Sequence, residues 1–548
     1  MATPVENNVK EGRSSSEGSA HSKPSTHEDH DAEKKAQQDP SPTAQTADGT
    51  PKEDLVYTGA RSDGKRIITP EECYDQLGFC FPWQKKWTII SVIFLVQMSM
   101  NFNSSVYANA IVPIQETYGV SEAKARVSQM LFLVLYGIGC ELWAPWSEEF
   151  GRWPILQLSL FLVNIWQLPG ALAPNLGSIY VSRALGGLSS AGGSVTLGMV
   201  ADMWEADDQQ YAIGYVVLSS VGGSTIGAVF GGLMQDQFGN NDSTTIAWNF
   251  WMQLIIGVIT QIIHFFLVPE TRSTIMMNRI AKKRREAAEK GEGPAEDLNL
   301  YGPDEVKKPR VSTKEVLTIW ARPFVMFVTE PIVLFLSLLS GFSDALIFTL
   351  FEGLPKVFMQ YDGFGNTQIG LIFIAVEIGY VLAYLSFFPF IHQERKIRRR
   401  DPDALLPERR LLWLLWLAPL ETIGLFAFAW TSGGPQNGIP WIVPTIFAGM
   451  IGAANYGGNG FARDVLAGIS AMYGTPLYTN IGGYAPRTYQ YASTILGCLA
   501  FVVAIPIYVF YWYGPQIRAR SKFAQELATT RSSVGGRRVS SVGLGAGF

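Results

Sequence analysis

The strongest constraint on this chain is a series of apolar runs broken by short polar turns. Each run is close to the ~20 residues an α-helix needs to cross ~30 Å of hydrocarbon. The stretch from Tyr136 to Trp204 shows the pattern in its most informative form. One run stops at Ala144-Pro145-Trp146-Ser147-Glu148-Glu149-Phe150-Gly151-Arg152, and the next resumes at Ile155 and ends near Pro174-Asn175. A third begins at Leu176, carries Arg183 near its start, and passes through Gly186-Gly187-Leu188-Ser189-Ser190-Ala191-Gly192-Gly193. It closes at Ala201-Asp202-Met203-Trp204. Backbone polar groups cannot be left bare in lipid, so runs of this kind cross as helices. Small residues after a lone arginine mark a helix that its neighbours approach closely.

The average composition, 47% hydrophobic with a mean hydropathy of +0.13, hides two populations. Residues 1–82 are rich in Ser, Pro, His and charge and read as a disordered cytoplasmic tail. Nearly everything after them is apolar runs and short connections, which makes the chain a polytopic membrane protein. The first apolar run begins only near Trp87, so no cleavable signal is expected. The four cysteines (Cys73, Cys80, Cys140, Cys498) have no metal-ligand spacing, and only His264 and His392 lie in the membrane body. No metal site, cofactor or nucleic-acid partner is expected, and without a Gly-x-x-x-x-Gly-Lys-Ser/Thr loop the chain carries no phosphate cradle for ATP.

The runs divide into two sets. Residues 83–271 hold six, and 272–322 form a linker made basic by Arg279, Lys282, Lys283, Arg284, Arg285, Lys307, Lys308 and Arg310. Residues 323–523 hold the rest, and 524–548 read as a second disordered tail. Basic clusters in the linker, at Arg395 to Arg400 and at Arg518 to Lys522 mark the cytoplasmic side. Asn241-Asp242-Ser243 is a glycosylation sequon on the opposite side. The first span carries Asn101, Asn103, Ser104 and Ser105. Asn101 and Ser105, four apart, share a face that looks into the bundle, for substrate contact or ordinary interhelical hydrogen bonding alike. In the fifth span Gly223, Gly227 and Gly231 recur every four residues and give a flat groove.

Six ionisable residues fall within spans: Glu141, Arg183, Asp344, Glu377, Glu421 and Asp464. Intramembrane charge is costly and usually lines a pathway. For each one, a salt bridge or a helix-end position is the bland alternative, and it is the preferred one for Glu421 and Glu141.

The loop at 148–152 resembles the first signature of the major facilitator superfamily, with Glu148, Gly151 and Arg152 at its acidic, glycine and basic positions. Arg183 and Gly187 match the fourth-helix signature of its proton-coupled antiporters. The run from Gly223 through Gly227, Gly231 and Gly232 is similar to the fifth-helix signature, with Ala228 where that signature has proline. The surrounding wording, including Pro269-Glu270-Thr271-Arg272, resembles the fungal drug:proton antiporters of the polyamine-transporter type. The resemblance implies an all-α fold of two six-helix halves and twelve spans. It implies a monomer in the plasma membrane that is not an enzyme but exports a small toxic metabolite, drug or polyamine against protons. Arg183, Asp344, Glu377, Asp464, Glu141 and Glu421 are the candidates for coupling and transport, and Asn101, Asn103 and Ser105 for the cavity. Glu148, Gly151 and Arg152 would latch the cytoplasmic side. In the family the acidic residue docks at the start of the eleventh span, where a helix dipole favours an anion. The alternative is a non-transporting sensor that retains the fold.

One region departs from the family. Between Trp441 and Thr479 there is barely room for two helices, and relatives carry about one helix-length more between Tyr456 and Gly457. Spans ten and eleven are therefore expected to be truncated, with an abrupt junction between Asn455 and Gly460. Either a short hairpin or a splice or gene-model defect produces this pattern.

Overall fold

A computed structural model describes residues 65–520, apart from 206–207, 239–242, 307–316, 319, 322–323, 326–327, 330, 360–362, 401–408, 410, 457–460 and 485–486. The tail up to residue 64, the tail at 524–548 and Asn241 lie outside the described residues.

The chain is a helical bundle. Helix α1 (Trp83–Val106) continues through a 3₁₀ turn into α2 (Ile111–Tyr118), where Gly119 (φ 63°) ends it in the left-handed conformation that glycine adopts at least cost. After α3 (Glu122–Phe150) comes α4 (Arg152–Ala171). The next span is α5 (Leu176–Ser190) and α6 (Val195–Met203), joined by a 3₁₀ turn, and α7 (Gln209–Phe238) and α8 (Ser243–Leu267) complete the first half. The linker holds α9 (Ser273–Glu289). The second half contains α10 (Pro331–Met359), α11 (Asn366–Arg400), α12 (Leu412–Thr431), α13 (Ile442–Asn455), α14 (Phe461–Asn480) and α15 (Arg487–Arg520). Among the described residues, eight spans are long and apolar enough to cross a membrane, and α13 is a shorter apolar helix. Each half has its own core. One gathers Ile93, Val96, Leu156, Met199 and Val216, and the other Leu350, Val376, Leu425, Phe428 and Ile451.

Residues 65–82, expected to be disordered, are structured. Residues 66–67 form strand β1, paired in parallel with β2 (Leu300–Tyr301), and 3₁₀ helices span Pro70–Gln76 and Gly78–Cys80. The cause is local burial: Ile68, Cys73 and Leu77 pack on Met277 and Ala281 of α9 and on Leu300. Arg285 secures the module, donating to the Leu300 carbonyl at 2.7 Å and to both carboxylate oxygens of Glu305 at 3.1 Å, with its guanidinium over the Tyr301 ring.

Two seams join the halves. The end of the bundle where the basic clusters gather is called inner here. Along the first seam α7 and α11 run antiparallel for their whole length. Asp236 accepts from Asn366 and Thr367 at the outer end, Gly222 faces Glu377 midway, and Gly214 faces Tyr384 nearer the inner end. There Gln210 donates to Glu394 at 3.2 Å and Arg395 pairs with Asp208 at 3.2 Å. Along the second seam α3 meets α14, with Gly468 against Met130, Leu133 and Val134. This seam stops short, because α13 ends at Asn455 and α14 starts at Phe461. At ~1.5 Å per residue, the 14 residues of α13 span ~21 Å against ~30 Å of hydrocarbon. The expected junction thus has its two flanks in place; residues 457–460 are outside the described set.

Candidate transport site and inner latch

Arg183 sits in α5 with 2% of its surface exposed. Its Nη1 donates to both the backbone carbonyl and Oδ1 of Asn103, at 2.8 and 3.0 Å. The guanidinium lies over two rings, 4.6 Å from the Tyr107 centroid and 4.0 Å from that of Phe132. Cation–π contacts of this kind are strongest when desolvated. Nε and Nη2 have no hydrogen-bond partner among the described residues. Gly187, one turn on, lets this helix press against the backbone of Phe132.

The other two cavity candidates of the first span, Asn101 and Ser105, have different surroundings. Asn101 donates to Gln97 one turn back, and its Cβ packs where a side chain at Gly223 would stand. Ser105 bonds Phe102 and lies against Gly227. Their shared face therefore meets α7, with Asn109 next to Gly231 continuing it. The opposite face of α7 carries Gly214, Gly222 and Gly232 and meets α11. One glycine-rich helix thus touches both halves closely. It runs unbroken for 30 residues, as expected with Ala228 in place of a helix-breaking proline.

In the second half two of the candidate carboxylates come together. Ser343 Oγ donates to Glu421 Oε2 at 2.7 Å and lies 3.2 Å from Asn455 Oδ1, while Asn455 Nδ2 donates to Asp344 Oδ1 at 2.8 Å. Asp344 is 3% exposed and Glu421 7%. The mediator is the last residue of the shortened α13, so the truncation places a helix terminus on the carboxylate pair. Glu377 is not part of this group. It faces Gly222 and the Thr225 hydroxyl across the first seam. Asp464 is buried in the first turn of α14, and Glu141 is half-buried on α3. The structure therefore joins Asp344 with Glu421 and Arg183 with Asn103, and leaves Glu141, Glu377 and Asp464 at separate places.

At the inner end of the first half, Gly151 (φ 104°) turns α3 into α4. A Cβ there would come within 2.5 Å of the Glu270 carboxylate. That carboxylate accepts from the backbone N–H groups of Arg152, Thr271 and Arg272 at 2.9–3.0 Å, so an anion occupies the start of α4 where the helix dipole favours it. Arg152 pairs with Asp202 at 3.0 Å and with Glu148 at 3.6 Å, and Arg272 reaches Asp202 at 3.5 Å and Glu148 at 4.0 Å. These described partners of Glu148 belong to the first half and to the first residue of the linker, none to the second half. The α3–α14 register explains this. Thr475 lies by Glu122 and Gly468 by Met130 to Val134, so one step along α3 matches one step back along α14. Extended, it carries Glu148 past Phe461, the first residue of α14.

Asp202, Glu270 and Arg272 were not foreseen as members of this network, nor Ser343 and Asn455 as the mediators between carboxylates. The signal in the sequence was the wording Ala-Asp-Met-Trp and Pro-Glu-Thr-Arg. Its pairing is invisible there, because Arg152 meets Asp202 and Glu270 across 50 and 118 residues.

A family model described as Major Facilitator Superfamily matches residues 93–475. The chain is 28% identical to an MFS-type transporter, paaT, of Penicillium rubens, with 81% of each chain covered. It is 25% identical to a cycloheximide resistance protein of Candida maltosa, covering 81% of this chain and 83% of that one. With the MFS-type transporter kojT of Aspergillus flavus it shares 27% identity over 80% and 79% of the two chains. Among solved structures, the proton:xylose symporter XylE aligns with a TM-score of 0.52 at 16% identity, over 79% of this chain and 96% of that one. That likeness concerns the fold alone.

Proposed function

The chain belongs to the major facilitator superfamily, and on that premise we propose that it is a secondary exporter that couples proton entry to the export of a small toxic metabolite, drug or polyamine across the plasma membrane. It is a multi-pass membrane protein of a transporter family. The observation that carries the finer reading is buried charge in both halves. Arg183 has N–H groups to spare in one, and Asp344 and Glu421 share Ser343 and Asn455 in the other. Such groups are expensive in lipid unless they work.

In this reading a proton from the outside adds to a carboxylate oxygen of Asp344 or Glu421. Ser343 Oγ, between Glu421 and Asn455, turns its hydrogen to whichever oxygen still accepts. Each proton taken up lowers the charge of the pair and weakens its attraction for a cationic substrate, so bound proton and bound substrate exclude one another. Rocking of the halves about the α7–α11 seam then exposes the site to alternate sides. The test uses cells that express the chain, with cycloheximide as the probe because one relative's name records resistance to it. Tolerance should rise, it should depend on the proton gradient, and Arg183→Ala should abolish it with surface levels unchanged. Full tolerance in the variant removes Arg183 from the mechanism. The second reading, a non-transporting sensor, is favoured by the shortened α13 alone. It gains if no tested compound is exported.

A further inference from the structure

We propose that Arg126 and Glu352 form an outer gate between the halves, closed in this structure. The proposal rests on the alternating-access reading only for its use in transport. Arg126 lies one turn into α3, and Nε and Nη2 both donate to Glu122 Oε1, at 2.9 and 2.8 Å. Its Nη1 is 2.5 Å from Glu352 Oε2 on α10, in the other half. The two side chains are 8% and 13% exposed, which separates this pair from the surface contact of Arg395 and Asp208, 34% and 47% exposed, at the inner end. Exposed pairs contribute little, whereas removing one partner of a desolvated pair strands the other charge.

The surroundings hold Glu352 in place. A Cβ at Gly474 would meet its Cγ at 3.2 Å, so α14 presses directly on it. Glu122 also reaches Thr475 of α14 and feels Lys356 of α10. Just inward, Phe132, Leu133 and Ala467 form an apolar layer between the halves, with Tyr136 and Phe348 packed on it. Any path from the centre to the outside along this seam has to part α3 from α10 and α14. The arrangement makes that parting reversible. Arg126 keeps Glu122 on its own helix when it leaves Glu352, so the cation is never stranded, and Glu352 is hydrated once the gate opens. Asp236, which caps the start of α11 at the outer end of the other seam, is an exposed second contact that adds less.

The test measures access from outside. In a chain with Cys73, Cys80, Cys140 and Cys498 replaced by alanine, Ala467→Cys places a thiol in the apolar layer, where the native side chain is 1% exposed. Intact cells are treated with a membrane-impermeant maleimide. Arg126→Gln, which strands Glu352, should raise the labelling rate about tenfold or more, and Glu352→Gln, which removes the cross-half contact but leaves Arg126 its bonds to Glu122, should raise it by a smaller factor. The exchange Arg126→Glu with Glu352→Arg should return labelling towards the starting rate, and Asp236→Asn should move it least. If a single variant fails to reach the surface, the other and the exchange carry the same comparison. Unchanged labelling in the single variants overturns the gate, as does an exchange that labels as fast as they do. Faster labelling in a chain that exports no tested compound leaves the gate standing and overturns the exporter reading instead.

Discussion

The two seams between the halves are built from similar parts and end differently. Along α7 and α11 contacts continue from Asp236 at the outer end to Arg395 at the inner one. Along α3 and α14 they begin at Glu122 and Thr475 and run out where α14 begins at Phe461. The first seam is held by glycines that admit a facing side chain, and the second by an ion pair above an apolar layer. The difference teaches that outer closure and inner closure are independent problems in this chain. The outer ends of both seams have partners. At the inner end Arg152, Asp202, Glu148 and Arg272 pair among themselves, and Tyr456, just past α13, donates to the Gly214 carbonyl of α7 at 2.5 Å.

The largest effect should come from making the seams equal. Inserting roughly twenty apolar residues, one span's worth, between Tyr456 and Gly457 should lengthen the hairpin down α3 and bring a partner to Glu148. Export by the chain as it stands should be measurable but weak, and the insertion should strengthen it in a vesicle uptake assay. Equal export before and after would mean that the short seam suffices and that Glu148 needs no partner in the second half.

Next in size is Arg152→Ala. It removes the nearest cation from Asp202, 5% exposed, and leaves it Arg272 at 3.5 Å, so it should cost about 1.5–3 kcal/mol. A thermal melt in detergent checks it, and because the network lies within one half the loss should be the same with or without the insertion. Gly222→Leu sharpens the comparison from the other side. A Cβ there starts 3.0 Å from Glu377 Oε1, and the larger side chain should cost about 1–3 kcal/mol and slow transport more than it lowers expression. Tyr456→Phe removes one hydrogen bond at the inner end and should cost about 1 kcal/mol, visible as a small fall in melting temperature.

The smallest effect concerns the cytoplasmic module, which belongs to neither seam. Burial raises the Glu305 carboxyl, but hydrogen bonds from Arg285 and the Gly302 N–H outweigh it and hold the group below its ordinary range. A carboxyl depressed in the folded state adds stability above the unfolded pKa and loses it as pH falls through the folded one. Protease resistance of the linker should therefore hold through mild acidification and drop only as pH falls below the ordinary carboxyl range, and in Arg285→Ala it should already be low at neutral pH and change little with acid.

Much of the fold is legible in the sequence because hydrocarbon thickness imposes a length on every span, and because glycines every four residues in α7 announce close packing. The short hairpin is legible for the same reason: α13 has too few residues to cross. Arg183 stands out as a lone cation in an apolar run, and the structure gives it Asn103. What was hidden is pairing at a distance. Nothing near Ser343 indicates that it stands between Glu421 and Asn455, and nothing near Asn101 indicates that its face meets glycines of α7. Strand β1 was hidden for another reason: two residues of sheet carry no periodicity, and the polar composition around them resembles a tail.

The β1–β2 pairing has a consequence for how the molecule is made. Residues 65–82 precede the first span and residues 273–305 follow the sixth, so their union ties the two ends of the first half together. A ribosome adds ~5–20 residues per second, which leaves an interval on the order of tens of seconds between the emergence of Glu305 and that of α15. In that interval the first six spans already have what they need to close on themselves. The face of α7 that meets α1 can be filled before α11 exists, which leaves the opposite face, with Gly222 and Gly232, as the surface on which the second half is assembled.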